Sequence, residues 1–492
     1  MAVTNDKTPV FQELPNELLK SVFDLLPNRD IKNLRLTCRY LSHHAPLRLD
    51  RVFISANPLN IEVFLAVANH NSFRHKVKEI IWDDATFKSL GSSGNDLDFN
   101  YSSDEDETDD NDYQGSSRFQ QLCREAIEDA ESRLNHYTQL LKGQNDIFES
   151  GADKQAFQYA LQASRFPNLT KVTVTPAVHG FLFFPLYETP MIRAFPYGFI
   201  YPIPRGWTCA GNVDVPQRAE PWEEDKQRKW RGVQIVLELL ADPQVAHNIS
   251  ELSFDNYKLL TGFNHRVFDQ PNEEYNNLCR ILERPGFKSI TLSVLTGWLS
   301  GQDVEDWNFL KKGKIRSALA KAHDLEEITF QTDYPVDETC WAGPAEDTIS
   351  LFDIFPLSQR LKHFGLSGIQ VTQEKLISVL ARLQHTLQSI ELSFLSVIKG
   401  TGNYAGILAN IRDTLGWRYR PVDQRIRVRI LVRVNQDAAR YICLDKEVND
   451  YVYGDGPPPF GVNRGGYSYA MITAGTGMQY DEFDADFARQ HR

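Results

Sequence analysis

One apolar spacing returns along most of the chain: an apolar residue, two intervening positions, then apolar-x-apolar. Seven copies stand at plausible strand positions: Val77/Ile80/Trp82, Leu169/Val172/Val174, Ile249/Leu252/Phe254, Phe287/Ile290/Leu292, Leu325/Ile328/Phe330, Leu361/Phe364/Leu366 and Leu387/Ile390/Leu392. The period-2 end of each fits a short strand with one buried face. The last five copies start 38, 38, 36 and 26 residues apart, and helix-like stretches fill the gaps at Trp230–Ala241, Asn272–Glu283, Phe309–Lys321 and Gln373–Leu383. A single copy means little in an α/β protein. The sustained spacing predicts a solenoid of short parallel strands and returning helices, whose solvent-side strand residues line an extended concave surface. A further strand is expected at Arg51–Ile54, followed by a helix through Ile61, Phe64, Leu65 and Ala68 with Asn60 as its cap.

The first stretch has a different period. Leu14, Leu18, Leu19, Val22, Phe23 and Leu26 mark one helix face. Pro15 is expected in the first turn, and Pro27 ends the run because proline disfavours helical geometry in the residue before it. Asp30 is expected to cap a second helix carrying Ile31, Leu34, Cys38 and Leu41.

The order of residues here resembles the F-box, the short helical motif that docks onto the Skp-type adaptor of cullin–RING ubiquitin ligases. The likeness rests on Leu14-Pro15, Glu17-Leu18-Leu19, Val22-Phe23, Leu26-Pro27, Asp30-Ile31, Leu34 and Leu36-Thr37-Cys38-Arg39. Leu41 departs from it, since the family usually carries tryptophan there; an apolar contact survives with less buried area. The resemblance covers a small fraction of the chain. It implies that Leu14, Pro15, Leu18, Leu19, Val22, Phe23, Leu26, Ile31, Leu34 and Leu41 include adaptor-binding residues and the motif's internal core, without sorting one from the other. The repeated units, for their part, resemble leucine-rich repeats, although they are irregular and lack the usual asparagine. The fold class expected is therefore α/β: an N-terminal helical F-box, then an irregular leucine-rich-repeat-like solenoid of parallel strands and helices. The divisions expected are a tail at 1–10, an F-box domain at 11–50, the repeat domain at 51–435, and a C-terminal cap and tail at 436–492.

Charge changes the picture at one place. The chain of 492 residues has a formal net charge of −12. Residues 89–117 hold nine acidic side chains and no Lys or Arg, which leaves −12 − (−9) = −3 elsewhere. A nearly neutral body does not indicate nucleic-acid binding. The acidic insertion cannot offset its ordering entropy and is expected to be disordered. Ser102 and Ser103 each have an acidic residue three positions on and are possible phosphorylation sites, a plain solvated loop being the simpler reading. A long helix is expected after it, from Arg118 to Lys142. A second insertion at 176–222 is rich in proline and aromatic residues. It is expected to pack as an ordered flap, with the tip around Tyr197–Trp207 as a contact surface.

Near the C-terminus, Arg425 to Val434 alternates as one half-buried strand, with Ile426, Val428, Ile430, Val432 and Val434 on one side. Arg425, Arg427, Arg429 and Arg433 take the other side, with Leu431 the apolar exception. Such a row either protects an edge strand by charge or forms a stripe for an anionic partner. The six cysteines are scattered without a CxxC pair, so no metal site and no disulfide framework is expected. No hydrolase elbow, phosphate loop or zinc-protease motif is present, and no apolar run is long enough to span a bilayer. The reading is a non-enzymatic substrate receptor of an SCF-type ubiquitin ligase, without cofactor, acting in the cytoplasm and/or nucleus. Its partners are a Skp-type adaptor, through it a cullin–RING ligase, and a protein substrate; neither nucleic acid nor membrane is expected. The rivals are an F-box protein working with the adaptor outside a ligase, and an uncharacterised enzyme.

Overall fold

The period-2 segments assemble into one parallel sheet. The computed structural model describes residues 14–26, 28–89, 130–180, 184–204, 207, 219–223, 228–296, 308–333, 350–358, 360–398, 400–433, 440–461 and 472–490. The sheet contains β1 (Arg51–Ile54), β2 (Glu79–Asp83), β3 (Lys171–Thr175), β4 (Glu251–Phe254), β6 (Ser289–Leu295), β7 (Glu327–Thr332), β8 (His363–Ser367), β10 (Ser389–Ser393) and β12 (Arg427–Arg429), with the short β5 (Phe263–Asn264) hung on β6. The short β9 (Gln370–Val371) and β11 (Ser396–Val397) form a separate parallel pair. Spatial order follows chain order throughout, β1-β2-β3-β4-β6-β7-β8-β10-β12. All seven copies of the spacing lead into strands of this sheet. That is a solenoid-like α/β arrangement.

Register turns alternation into continuous rows. Val52, Ile80, Val172, Leu252, Ile290, Ile328, Phe364, Ile390 and Val428 stand side by side across the nine strands, and all are buried. Two positions on, Trp82, Val174, Phe254, Leu292, Phe330, Leu366 and Leu392 make a second apolar row. The helices Arg231–Ala241, Glu273–Leu282 and Gln373–Leu383 cover these rows with Val236, Leu278 and Leu380, among others. Burial of each large apolar side chain contributes about 1.5–3 kcal/mol. The odd positions of the strands face the other way and are mostly polar.

Helix ends follow local chemistry. Asn272 and Thr372 cap the helices at Glu273 and Gln373, accepting from Tyr275 N and Lys375 N. The helix expected at Phe309–Lys321 is two short ones, Asn308–Lys311 and Lys314–Leu319, because Gly313 between them adopts φ 69°. The cap expected at Asn60 is instead Asn57, with Pro58 opening the helix Pro58–Asn69. Asn60 is buried inside that helix, where its amide donates to Ser55 Oγ at 2.8 Å and accepts from Met191 N at 2.9 Å. Asn256 pins the turn after β4. Its buried amide donates to the carbonyls of Leu259 and Thr261 at 2.8 and 2.7 Å.

The helix expected to stop at Lys142 runs from Ala130 to Ser150 in the described residues. Gly143 does not end it: a Cβ there would meet Pro58 Cδ at 3.2 Å, so the glycine permits close packing against the helix Pro58–Asn69. The single strand expected over 425–434 is split. β12 pairs in parallel with β10, and β13 (Leu431–Arg433) leaves to open an antiparallel sheet with β14 (Arg440–Cys443), β15 (Met478–Asp481) and β16 (Ala488–Gln490). Leu431 is fully buried at this switch, its N–H donating to Ser393 Oγ at 3.1 Å, which explains the apolar exception. Val434 and the acidic segment from 90 onward, with Ser102 and Ser103, lie outside the described residues.

The first three helices, α1 (Asn16–Leu25), α2 (Asn28–Thr37) and α3 (Arg39–His44), have their own small core. They do not share the main apolar cluster, which begins at Val52. Pro15 is the residue before α1 rather than its first turn, and Asp30 lies inside the first turn of α2 rather than capping it.

Candidate functional site

Two stripes lie next to each other on α1. Leu19 and Phe23 point inward with Ile31, Leu41 and Ala45, and Leu14, Leu26 and Leu34 pack at the margin of that cluster. Leu18, Val22 and Leu25, spaced i, i+4, i+7, form the adjoining stripe. Leu18 is 53% exposed and Leu25 86%, and Leu36 on α2 is also 86% exposed. Arg48 holds the α1–α2 corner by donating to the carbonyls of Asp24 and Leu26, and Arg35 donates to Ala45 O at 2.8 Å. Cys38 separates α2 from α3, its sulfur accepting from Leu41 N.

Residues 11–45 match the family described as the F-box domain. The chain therefore carries an F-box domain at residues 11–45. A comparison with curated proteins finds no match. F-box domains bind Skp-type adaptors of cullin–RING ligases. Of the ten residues singled out in the sequence, the structure puts Leu19, Phe23, Ile31 and Leu41 in the interior, so they act by packing, not at a surface. Pro15 and Leu18 are exposed, Val22 half-buried. Leu25 and Leu36 were missed as surface residues. For Leu25 the signal was its position seven residues after Leu18.

The polar face of the parallel sheet is the second candidate surface. One row runs Arg51, Glu79, Lys171, Glu251, Ser289, Glu327, His363, Ser389, Arg427. The next runs Thr173, Ser253, Thr291, Thr329, Gly365, Glu391, Arg429. A groove of about 300 Å³ lies over both, lined from Lys171 to Ser389. Beyond it, Thr175, Ser293, Gln331, Ser367 and Ser393 are buried. Lys258 seals that side: its ammonium meets Glu391 at 3.3 Å and sits over the Phe394 ring. Burial pulls the Lys258 pKa down, but Glu391, Glu482 and Asp255 outweigh it and hold the pKa above its ordinary value. Tyr257 and Lys258 take φ 49° and 64° to place this contact.

The arginine row does not form a free stripe. Arg429 lies 4.0 Å from Asp445, and Arg425 stacks on Tyr453. Arg427 is exposed at the sheet edge, and Arg433 belongs to the second sheet. The aromatic insertion packs in its described parts. Trp207, placed at the expected contact tip, is fully buried and donates to Asp84 at 2.8 Å; Tyr197 is 74% exposed.

Asp83 and Asp84 are the strongly perturbed acids. Burial pushes Asp83 up to about 8 and Asp84 up to about 7. Buried acids of this kind mark candidate chemistry when they line a cleft. These do not. Asp84 accepts from Trp207 and from Gly232 N at 2.7 Å, tying β2, the insertion and the helix Arg231–Ala241 together. Asp83 accepts from Ala85 N and faces His179 Nε2 at 3.6 Å, both side chains sealed from solvent. Among the described residues no cluster of His, Cys, Asp or Glu fits a metal ion, and no helix is long and apolar enough to cross a membrane.

Proposed function

We propose that this F-box protein is a substrate-recognition subunit of an SCF-type ubiquitin ligase. On this reading residues 11–50 dock the Skp-type adaptor, 51–435 hold a protein substrate, and 436–492 cap the body, in the cytoplasm and/or nucleus. The supporting observation is the outward stripe of Leu18, Val22 and Leu25 beside the buried stripe of Leu19 and Phe23, within the span that matches the F-box domain. A leucine left facing water recovers roughly 1.5–3 kcal/mol when a partner buries it. Pro15, Leu18, Val22, Leu25 and Leu36 form the contact side, and Leu14, Leu26 and Leu34 support it from the margin. The body contributes proximity: it raises the effective concentration of a substrate lysine near the activated ubiquitin, and no catalytic group of its own is needed.

Co-purification of the full chain with adaptor and cullin tests this. Recovery of both supports the ligase role, adaptor alone points to work outside a ligase, and neither overturns the reading. Leu18→Asp with Leu25→Asp should weaken adaptor binding at least roughly tenfold while the fold is kept, because both side chains already face solvent. Unchanged adaptor binding in that variant would sink the assignment of the contact side.

A further inference from the structure

The groove on the polar sheet face has a chemistry of its own. Glu79 is committed within the row: Lys171 Nζ lies 3.3 Å away, Arg51 Nε 3.9 Å, and Thr173 Oγ1 donates to it at 2.7 Å. Lys171 is thereby engaged at the groove's end. The next two carboxylates, Glu251 and Glu327, flank Ser289 on neighbouring strands, and Ser289 Oγ donates to Glu327 at 3.1 Å. Two strand spacings put their backbones about 10 Å apart, which leaves room for one cationic head group between them. Lys288 is the other cation acting on Glu251. His363 adds no charge at neutral pH, since burial lowers its pKa, and its Nδ1 is paired with Ser389 Oγ at 2.8 Å.

The floor is made of short hydroxyl side chains, Ser253, Thr291 and Thr329, one per strand, and then Gly365. A Cβ at Gly365 would come within 3.1 Å of His363 Nε2 and 2.9 Å of Thr329 Oγ1, so the glycine keeps the floor low. From β3 to β10 the groove crosses five strand spacings, about 24 Å, the length of roughly seven extended residues. Hydroxyls repeating at strand spacing suit the donors and acceptors of an extended backbone better than a small compact ligand.

Building on the reading that the body holds a protein partner, we propose that this groove takes an extended basic segment of that partner, with an Arg or Lys side chain set over Ser289 between Glu251 and Glu327. The hydroxyl floor hydrogen-bonds the segment's backbone, and the paired carboxylates choose a cation at one position. A guanidinium held between the half-buried Glu251 and the exposed Glu327 gains charge-assisted hydrogen bonds that a neutral residue cannot make.

The probe is a set of fluorescent peptide pools of roughly nine residues, randomised except for a central Arg, Lys, Ser or Glu, titrated onto the full chain by anisotropy. The Arg and Lys pools should bind roughly tenfold more tightly than the Ser and Glu pools. Glu251→Gln with Glu327→Gln should erase that preference, and Glu251→Lys with Glu327→Lys should turn it toward the Glu pool, each with an unchanged melting temperature. Equal binding of all pools, or a preference that survives both double variants, overturns the proposal. The adaptor is absent from this assay, so failure here leaves the F-box docking intact, and failure of adaptor co-purification leaves the groove result standing.

Discussion

The docking end and the body bury apolar surface in opposite ways. The helices α1–α3 close a core of Leu19, Phe23, Ile31, Leu41 and Ala45, while Leu18, Leu25 and Leu36 remain outside. The body inverts this, with apolar rows fully covered by helices and hydroxyls and charges on its open face. A unit this short buries too little to be robust alone, whereas a stacked array adds core with each strand. The docking end is thus shaped to be finished by a partner, and the body to hold itself together and offer a polar surface.

The comparison breaks most plainly on two phenylalanines. Phe364 lies in the central apolar row between Ile328 and Ile390, and Phe364→Ala should cost about 3–5 kcal/mol, lowering the main unfolding transition by several degrees. Phe23→Ala removes the same volume from the small core. It should expose α1–α3 to hydrogen exchange while leaving the main calorimetric transition where it was, because the two clusters are separate. An equal fall in the main transition for both variants would show that the docking end and the body share one cooperative unit.

Much of this contrast was legible in the sequence, and the misses have physical causes. Period-2 patterning located the strands because every core position of a stacked array must be apolar: Ile290 and Phe330 have no polar alternative. The helix Gln373–Leu383 was read to the residue, since Thr372 caps it. Caps in competition were harder. Asn57 and Asn60 both suit an N-cap, and Pro58, which favours the first helical turn, decides for Asn57. Arginine alternation over 425–434 concealed a change of sheet, because Val428, Ile430 and Val432 stay buried across the break and Leu431 alone departs from the alternation. At the candidate sites, periodicity found the α1 helix but could not separate the stripe of Leu19 from that of Leu18. Which stripe faces a partner depends on where α2 and α3 pack. The groove was not legible at all, since Glu251 and Glu327 are 76 residues apart in sequence (327 − 251) and meet through register.

A smaller effect sharpens the contrast from inside the body. Asp83 titrates near 8 in the folded chain and near 4 once unfolded, so the folded state keeps a proton that the unfolded state releases. Stability from this group is therefore full below about pH 4 and is lost as pH rises toward 8. Asp83→Asn cannot ionise and should flatten that slope, raising the melting temperature more at pH 8 than at pH 5. Equal shifts at the two pH values would show that the acid carries no buried charge penalty. Nothing of this kind is expected at the docking end.

The smallest effect belongs to the arginine row, and it separates the body's open face from its working charges. Arg427 is exposed and lies opposite Ser389, so Arg427→Gln should change stability by no more than about 0.5 kcal/mol. Arg429 is different. Burial lowers its pKa, but Glu391 and Asp445 outweigh that and hold it above its ordinary value. Glu391 in turn holds the buried Lys258. Arg429→Gln removes a cation that acts on Glu391, Asp445 and Glu482, but Arg429 is itself 47% exposed and 4.0 Å from Asp445, so solvent screens much of the loss and the cost should exceed that of Arg427→Gln by about 0.5 kcal/mol. Two arginines two residues apart on one strand, both reaching solvent, would then differ because Arg429 stands beside Glu391 and Asp445. Equal losses in urea unfolding would mean that these charges are screened by solvent like any surface pair.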